Sequence, residues 1–271
     1  MERSGQYFEY IDLFSGCGGL ALGMHLAGWK AHFAIEKNSD AFETLRYNLI
    51  EREEHFFWPE WLPLSTHDIN EVLKSHEKEL KKLSGKVMLV AGGPPCQGFS
   101  MAGRRKEDDV RNSLIDSYLR FVDLVMPDSL LFENVKGFTQ PFNNCAEDNQ
   151  GKNYSKYILE ELRSRGYLVE AKMLDFSKYG VPQRRIRFIL FASKTINPEV
   201  FFATLSSNVQ AFVQSRKIPR KVSLKSAISD LERAHGQQAC PDSPGFMSGQ
   251  YGSPQTSYQR YCRNGARKGL V

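Results

Sequence analysis

Along the first two-thirds of the chain, short runs rich in β-branched and aromatic residues alternate with longer stretches whose apolar positions recur at helical spacing. The strand candidates are Tyr10 to Phe14, Ala31 to Glu36, Val87 to Gly92, Ser129 to Val135, Leu168 to Asp175 and Ile186 to Ser193. Helices are predicted over Leu20 to Ala27, Asp40 to Arg52, Ile69 to Leu83, Ser113 to Val125 and Lys156 to Arg165. Strands separated by helical crossovers pair in parallel, so the order predicts an α/β fold with a doubly wound, mostly parallel sheet of Rossmann-like type. The stretch His55 to Pro63, with Trp58 and Trp61, reads as a packed loop inserted after the second strand. Beyond Ala234 the chain turns to Gly, Pro, Ser and Gln with little periodicity, so residues 1–234 read as one domain and 235–271 as a linker leading out of it.

Ligands of open α/β sheets bind beyond the carboxyl ends of the strands. Four strands end directly in polar or Gly/Pro-rich segments, which directs attention to Ser15 to Gly19, Glu36, Gly93 to Gln97 and Glu133 to Asn134. The first strand runs into Asp12-Leu-Phe14-Ser15-Gly16-Cys17-Gly18-Gly19. Glycines at 16, 18 and 19 permit a tight turn and close approach of a ligand to the backbone, although packing of a helix on a strand demands glycine too. No Gly-Lys-Ser/Thr follows, which excludes a phosphate-cradling nucleoside-triphosphatase loop. Glu36 closes the second strand about twenty residues past the glycines, where a carboxylate can accept hydrogen bonds from ribose hydroxyls. Asp68, read as following a third strand, adds another acidic position to the same rim. Acidic groups with no basic partner suit a cationic or neutral ligand such as an adenosyl sulfonium better than pyrophosphate. S-adenosylmethionine therefore ranks above a dinucleotide, which stays open as the alternative.

The strand Val87 to Gly92 ends in Gly93-Pro94-Pro95-Cys96-Gln97-Gly98-Phe99-Ser100. A thiol held by two prolines at a strand's carboxyl end has little conformational freedom and stands at the crevice, as a preorganised nucleophile must; a small buried hydrophobe is the alternative reading of a lone cysteine. The strand Leu130 to Phe132 delivers Glu133-Asn134-Val135 to the neighbouring position, where Glu133 can serve as a helix cap or as a general acid. Together the pair fits methylation of an aromatic base carbon that is not itself nucleophilic. Thiolate addition at C6 of cytosine makes C5 electron-rich, and a carboxyl group at N3 stabilises the developing charge.

Composition narrows the setting further. The 271 residues are 41% apolar and 25% charged, ordinary globular usage. No run approaches the roughly 18 uninterrupted apolar residues of a membrane span, and the first five residues do not open a signal peptide, so the expected setting is cytoplasmic (nucleoid-associated in a bacterium) or nuclear in a eukaryote. Five dispersed cysteines (Cys17, Cys96, Cys145, Cys240 and Cys262) contain no CxxC pair and no zinc spacing, so neither a disulfide framework nor a metal is expected. The net charge of +5 is unevenly distributed: residues 210–271 hold ten Lys/Arg against three Asp/Glu, and residues 1–209 hold 26 against 28. That asymmetry can attract a polyanion or can be a solvated basic tail.

These segments together resemble the DNA (cytosine-5) methyltransferase family. The resemblance rests on Asp12 to Gly19, on Gly93-Pro-Pro-Cys96-Gln-Gly-Phe-Ser100, on Arg111-Asn112 with Leu114, on Phe132-Glu-Asn-Val135, and on Tyr179-Gly-Val-Pro-Gln183-Arg-Arg185-Ile-Arg187, in the family's order. It implies an S-adenosylmethionine-dependent methyltransferase fold, with S-adenosylhomocysteine as product. Phe14, Gly16, Gly18 and Gly19 would line the methyl-donor site, Glu36 would hold the ribose with Lys37 beside it, Asp68 and Ile69 would meet the adenine, and Pro95 and Leu114 would close over the donor. Cys96 carries over as the nucleophile and Glu133 as the N3 partner. Arg187 would contact the cytosine O2, with Arg185, two positions earlier on one strand face, supporting it. Gln97 to Lys106 matches the loop that closes on double-stranded DNA, with Gln97, Ser100, Arg104 and Arg105 as DNA contacts. The target carbon is shielded in a stacked duplex, so the cytosine must be flipped out.

Family members that act alone continue with a target-recognition domain and C-terminal motifs, none of which is recognisable here. Two accounts stay open: a second polypeptide supplies them, or the chain is truncated. An RNA-modifying relative shares most signatures, but Gly-Phe-Ser after the nucleophile favours DNA. A non-catalytic scaffolding subunit is opposed by the intact Cys96, Glu133 and Arg187, and a dinucleotide oxidoreductase leaves Pro-Pro-Cys-Gln without purpose.

Overall fold

In the computed structural model, which describes residues 8–95, 113–140, 153–240 and 243–263, all six predicted strands are present. The chain runs β1 (Phe8–Leu13), α1 (Gly19–Leu26), β2 (Trp29–Ile35) and α2 (Ser39–Leu45), which continues into a π-helical segment, Arg46–Arg52. There follow α3 (Ile69–Ser75), α4 (Glu77–Lys82), β3 (Leu89–Gly92), α5 (Ser113–Val125), β4 (Ser129–Val135) and α6 (Tyr154–Ser164). The remainder holds β5 (Leu168–Asp175), β6 (Ile186–Ser193), α7 (Pro198–Ser215), α8 (Leu224–Ile228), the short pair β7 (Gln237–Ala239) and β8 (Met247–Gly249), and α9 (Ser257–Arg263). Two compact units result, one of residues 1–173 with 187–201 and one of 174–186 with 202–271.

The six-stranded sheet has the order β2-β1-β3-β4-β6-β5. β1 pairs in parallel with β2 and β3, and β3 with β4, whereas β6 runs antiparallel to β4. Alternation along the strands assigns the faces. Ile11, Leu13, Val90, Leu130 and Phe132 enter one core with Val72 of α3, Phe121 of α5 and Ile158 of α6. Tyr10, Leu89 and Ala91 enter a second core with Ala21 of α1 and Leu45 of α2. Helices therefore cover both faces, as the doubly wound pattern predicts. Phe33, Phe121 and Phe132 are fully buried, and each burial stabilises the fold by roughly 1.5–3 kcal/mol.

Several sequence expectations need correction. The third strand expected before Asp68 shrinks to one bridge, Ala31 with Phe56, because Pro59 and Pro63 in the following segment have no N–H to donate to a ladder. The helix expected over Ile69 to Leu83 breaks at His76 (φ −122°), whose ring packs on Trp61 with centroids 5.3 Å apart. The 18-residue helix α7 is absent from the sequence expectations, since its apolar side chains do not form one stripe: Val200 and Phe212 face solvent. Its signal is Asn197-Pro198-Glu199, a capping Asn followed by a proline in the first turn, and the Glu199 N–H indeed donates to Asn197 Oδ1 at 2.8 Å. The stretch after Ala234 carries β7, β8 and α9, elements its composition does not suggest.

The carboxyl ends of the central strands meet through two glycines. Gly92 has φ +141°, and a Cβ there would stand 2.0 Å from the Leu13 carbonyl oxygen; a Cβ on Gly93 would stand 2.0 Å from the Glu133 carbonyl oxygen. Neither backbone oxygen can yield without pulling β1 or β4 out of register. Gly93→Ala should therefore lower the melting temperature by roughly 5–10 °C, an overpacking cost of a few kcal/mol. Gly19→Ala, where a Cβ meets nothing within 4 Å, should change it by less than about 2 °C. Thermal melts of the two variants compare these sites directly, and equal losses would contradict the strand-contact account.

Candidate active site

Beyond the carboxyl ends of β1, β2 and β3 lies a cavity of about 480 Å³. β1 ends at Leu13, and the chain reverses through Phe14 (φ +56°), Gly16 (φ +56°) and Gly18 (φ +87°) before α1. A left-handed backbone is ordinary for glycine but strained for phenylalanine. The turn is pinned by the Ser15 N–H donating to the Ile35 carbonyl at 3.2 Å and by the Gly18 N–H donating to the Ser15 carbonyl at 3.0 Å. Phe14 and Gly16 line the cavity. Gly18 answers a packing demand instead, since a Cβ there would stand 2.9 Å from Leu49 Cδ1, and Gly19 opens α1.

The second strand contributes Glu36, whose carboxylate is fixed from both sides. Oε2 accepts the Gly16 N–H at 2.8 Å and Oε1 accepts the Asn38 N–H at 2.7 Å. A carboxylate offers about four lone-pair sites, so each oxygen retains accepting capacity. Asp68 caps α3 by accepting the Asn70 N–H at 2.8 Å, and its other oxygen receives Lys37 Nζ at 2.8 Å. Burial would raise its pKa, but the bonds from Lys37 and Asn70 outweigh this and hold the carboxyl below the usual range. The expectation of acidic groups without a basic partner is thus corrected: Asp68 is paired with Lys37, while Glu36 is held by backbone alone. Lys37, Asp68, Ile69, Pro95 and Leu114 all line the same cavity.

Gly93, of the segment 93–97 to which the sequence points, completes the wall together with Ile35, His67 and Asn70, to which it does not. Each of these three flanks a residue that the sequence singles out, and that adjacency is the available signal. Asn70 is tied to α5, its Oδ1 accepting the Ser117 hydroxyl at 2.6 Å.

One strand over, β4 places Glu133 opposite Ile189 of β6, and Val135 opposite Arg187. Two residues given separate roles from sequence meet here: Arg187 Nε lies 2.9 Å from Glu133 Oε1. Next to Glu133 in sequence, buried Asn134 donates to the Pro94 carbonyl at 3.3 Å, tying the end of β4 to the turn that leads out of β3. Arg185 immediately precedes β6. It is exposed, and its carbonyl accepts the Phe176 N–H at 2.9 Å. Cys96, Gln97, Ser100, Arg104, Arg105 and Lys106, with Arg111 and Asn112, lie outside the described residues. Among the described residues, no group of three or more His, Cys, Asp or Glu is placed to hold a metal ion, and no helix is long and apolar enough to cross a membrane.

Asp12, on the β1 face shared with Tyr10, is not singled out as functional by the sequence. It is buried with no hydrogen-bond partner for either carboxyl oxygen among the described residues. Burial, and then the negative charge of Glu36, push its pKa up to about 8.

Comparison with known proteins adds three findings. The model of the C-5 cytosine-specific DNA methylase family matches residues 8–265. Among curated relatives, the type II methyltransferase M.DdeI of Desulfomicrobium norvegicum is 32% identical over 94% of this chain and 55% of its own length, and M.AgeI of Thalassovita gelatinovora is 31% identical over 82% and 50%. The chain therefore spans about half the length of these relatives. A crystal structure described as a DNA modification methyltransferase encoded within a prophage (E. coli) aligns with a TM-score of 0.58 and 27% identity, covering 83% of this chain and 55% of that one.

The buried Asp12 makes stability depend on pH. Below about pH 4 both folded and unfolded states hold the proton and the carboxyl has no effect; as pH rises the unfolded state ionises first, so stability falls until the folded carboxyl titrates near 8. Asp12→Asn should remove that slope. Denaturation measured from pH 5 to 8.5 should show the variant gaining on the natural protein by a few kcal/mol at most, and a pH-independent difference would refute the assignment.

Proposed function

This chain belongs to the C-5 cytosine-specific DNA methylase family, and we propose from that premise that it carries out methyl transfer from S-adenosylmethionine to C5 of a cytosine in double-stranded DNA. The observation that carries the reading is the place of Gly93. It lines the cavity bounded by Glu36 and Asp68, and its backbone also abuts the Glu133 carbonyl of the strand bearing the Glu133–Arg187 pair. A donor in the cavity and a base beside Glu133 would thus face each other across one backbone segment.

The residues present fit such a donor. Glu36, held by two backbone N–H groups, has acceptor capacity left for two ribose hydroxyls, Phe14 and Ile69 offer apolar surface to adenine, and Pro95 and Leu114 complete the lining. S-adenosylmethionine supplies an electrophilic methyl group on its sulfonium. In the proposed sequence the Cys96 thiolate adds to C6 of a flipped-out cytosine, forming the S–C6 bond and moving the electron pair toward C5 and N3. Glu133 hydrogen-bonds at N3 and Arg187 holds the carbonyl at C2, so the charge gathered there is stabilised where it develops. C5 would take the methyl group as the S–CH3 bond breaks and leaves S-adenosylhomocysteine, its proton would then be lost to base, and breaking of the S–C6 bond would restore the aromatic ring and free Cys96. Acting beside DNA in the cytoplasm of a bacterial cell is the corresponding setting.

Two measurements test the reading. A duplex carrying 5-fluorocytosine lacks the C5 proton whose loss releases the enzyme, so it should trap a covalent adduct in the presence of donor, visible by denaturing electrophoresis. Cys96→Ala should abolish the adduct, and an adduct that persists removes Cys96 from the mechanism. Glu36→Ala should weaken methyl-donor affinity at least tenfold, the loss of hydrogen bonds to a charged acceptor, with DNA affinity nearly unchanged. Methyl transfer to RNA but not to DNA would overturn the choice of substrate.

A further inference from the structure

The second unit contains a cleft with no part in the chemistry above. This unit holds 13 lysines and arginines against four acids, whereas the rest of the chain holds 23 against 27. Between the C-terminal end of α7 and α9, within this unit, a cleft of about 560 Å³ is lined by Arg216, Lys217, Ser257, Arg260, Tyr261 and Arg263. Four cations thus converge on one depression.

Their positions are set by other contacts. Arg263 is anchored by the buried Asp230, with Nη2 to Oδ2 at 2.7 Å, and its guanidinium lies 3.7 Å from the centre of the Tyr251 ring. Arg216 lies 5.5 Å from the ring centres of both Phe212 and Tyr261, which meet edge-to-face. Arg260 donates to the Gln255 carbonyl at 3.3 Å and to the Ser257 hydroxyl at 3.4 Å. Asp230 is spent on Arg263, and Arg216, Lys217 and Arg260 have no ion pair among the described residues. By contrast Arg46, Lys81, Arg120 and Arg165 of the first unit are all paired with carboxylates.

Lys217 adds an independent observation. It follows the last turn of α7 with φ +55°, in the position where a helix commonly ends on glycine. The end is closed by the Ile218 N–H donating to the Val213 carbonyl at 2.9 Å and the Lys217 N–H to the Gln214 carbonyl at 3.0 Å. A strained backbone here carries a cation where glycine would fit without strain.

We propose that this cleft holds the sugar-phosphate backbone of duplex DNA, without regard to base sequence. This rests on the DNA-directed reading above and extends it to a second binding surface. The exposed cations gain little from one small anion, whose attraction is screened by water and salt. A duplex instead presents a row of phosphates, and each one neutralised releases condensed counterions. Arginine forks, a lysine point charge and hydroxyl donors are the groups that bind phosphate oxygens while leaving bases unread.

The test is equilibrium binding of the full chain to a short mixed-sequence duplex over a range of salt concentrations, for the natural protein, Lys217→Gly, Arg260→Gln and the double variant. The double variant should bind roughly tenfold or more weakly near physiological salt, for every duplex sequence, and its slope of log K against log salt should shrink by about 0.9 for each phosphate that is no longer neutralised. Lys217→Gly should at the same time raise the melting temperature, so a loss of affinity cannot be ascribed to misfolding. Unchanged affinity and slope in the double variant would overturn the cleft alone, and so would competition by inorganic phosphate at low millimolar concentration, which marks a small-anion site. DNA binding that depends on these residues in a protein that transfers no methyl group would uphold the cleft and defeat the proposed function. A natural protein that binds no duplex would remove both.

Discussion

The tightest constraint in the molecule is the meeting of three strand ends with no side chain between them. At Gly92 the backbone of β3 lies against the Leu13 carbonyl of β1, and at Gly93 it lies against the Glu133 carbonyl of β4. Part of the candidate site hangs from these ends: Phe14 and Gly16 follow Leu13, Pro95 follows Gly93, and Glu133 is itself one of the touching residues. The side chain of Asn134 then clamps the Pro94 carbonyl, so the turn leading toward Cys96 is held by both main chain and side chain. Preorganisation here is a property of backbone packing, and the side chains of the site inherit it.

The carboxyls at the rim differ in what supports them. Asp68 is stabilised by Lys37 and by the start of α3, and Glu36 by two backbone N–H groups. Asp12, nearby and buried, takes no such support and keeps its proton instead. The charge that reaches the cavity is therefore concentrated on Glu36, because the carboxylate of Asp68 is shared with a lysine. That distribution suits a ligand bearing hydroxyls at one end and a positive charge at the other.

What the sequence makes legible follows the range of the forces involved. Short runs of β-branched and aromatic residues are a local signal, and they locate all six strands to within two residues. The cavity-lining Glu36, Asp68, Pro95 and Leu114, and Glu133 on the neighbouring strand, are picked out by the strand ends and the motifs beside them, which are equally local. The pairing of Lys37 with Asp68 is not, because it joins residues 31 positions apart and depends on how the segment between them folds. α7 escapes because helices with scattered apolar positions leave no stripe to detect, although Asn197-Pro198-Glu199 marks its start. The expected strand before Asp68 fails through chemistry visible in the sequence itself, the two prolines that cannot donate to a ladder.

The shortfall of that strand leaves β2 as one margin of the sheet, with β5 as the other. Along β2, Ala31 satisfies its backbone with His55 and Phe57, while Lys30 reaches the Glu54 carbonyl and His32 pairs with Glu9 at 2.8 Å. On β5, Glu170 and Lys172 pair at 3.0 Å. A strand from another molecule approaching either margin would have to displace these contacts and desolvate their charges before gaining a single ladder bond. Charged side chains at both margins are a feature that disfavours edge-to-edge pairing of sheets.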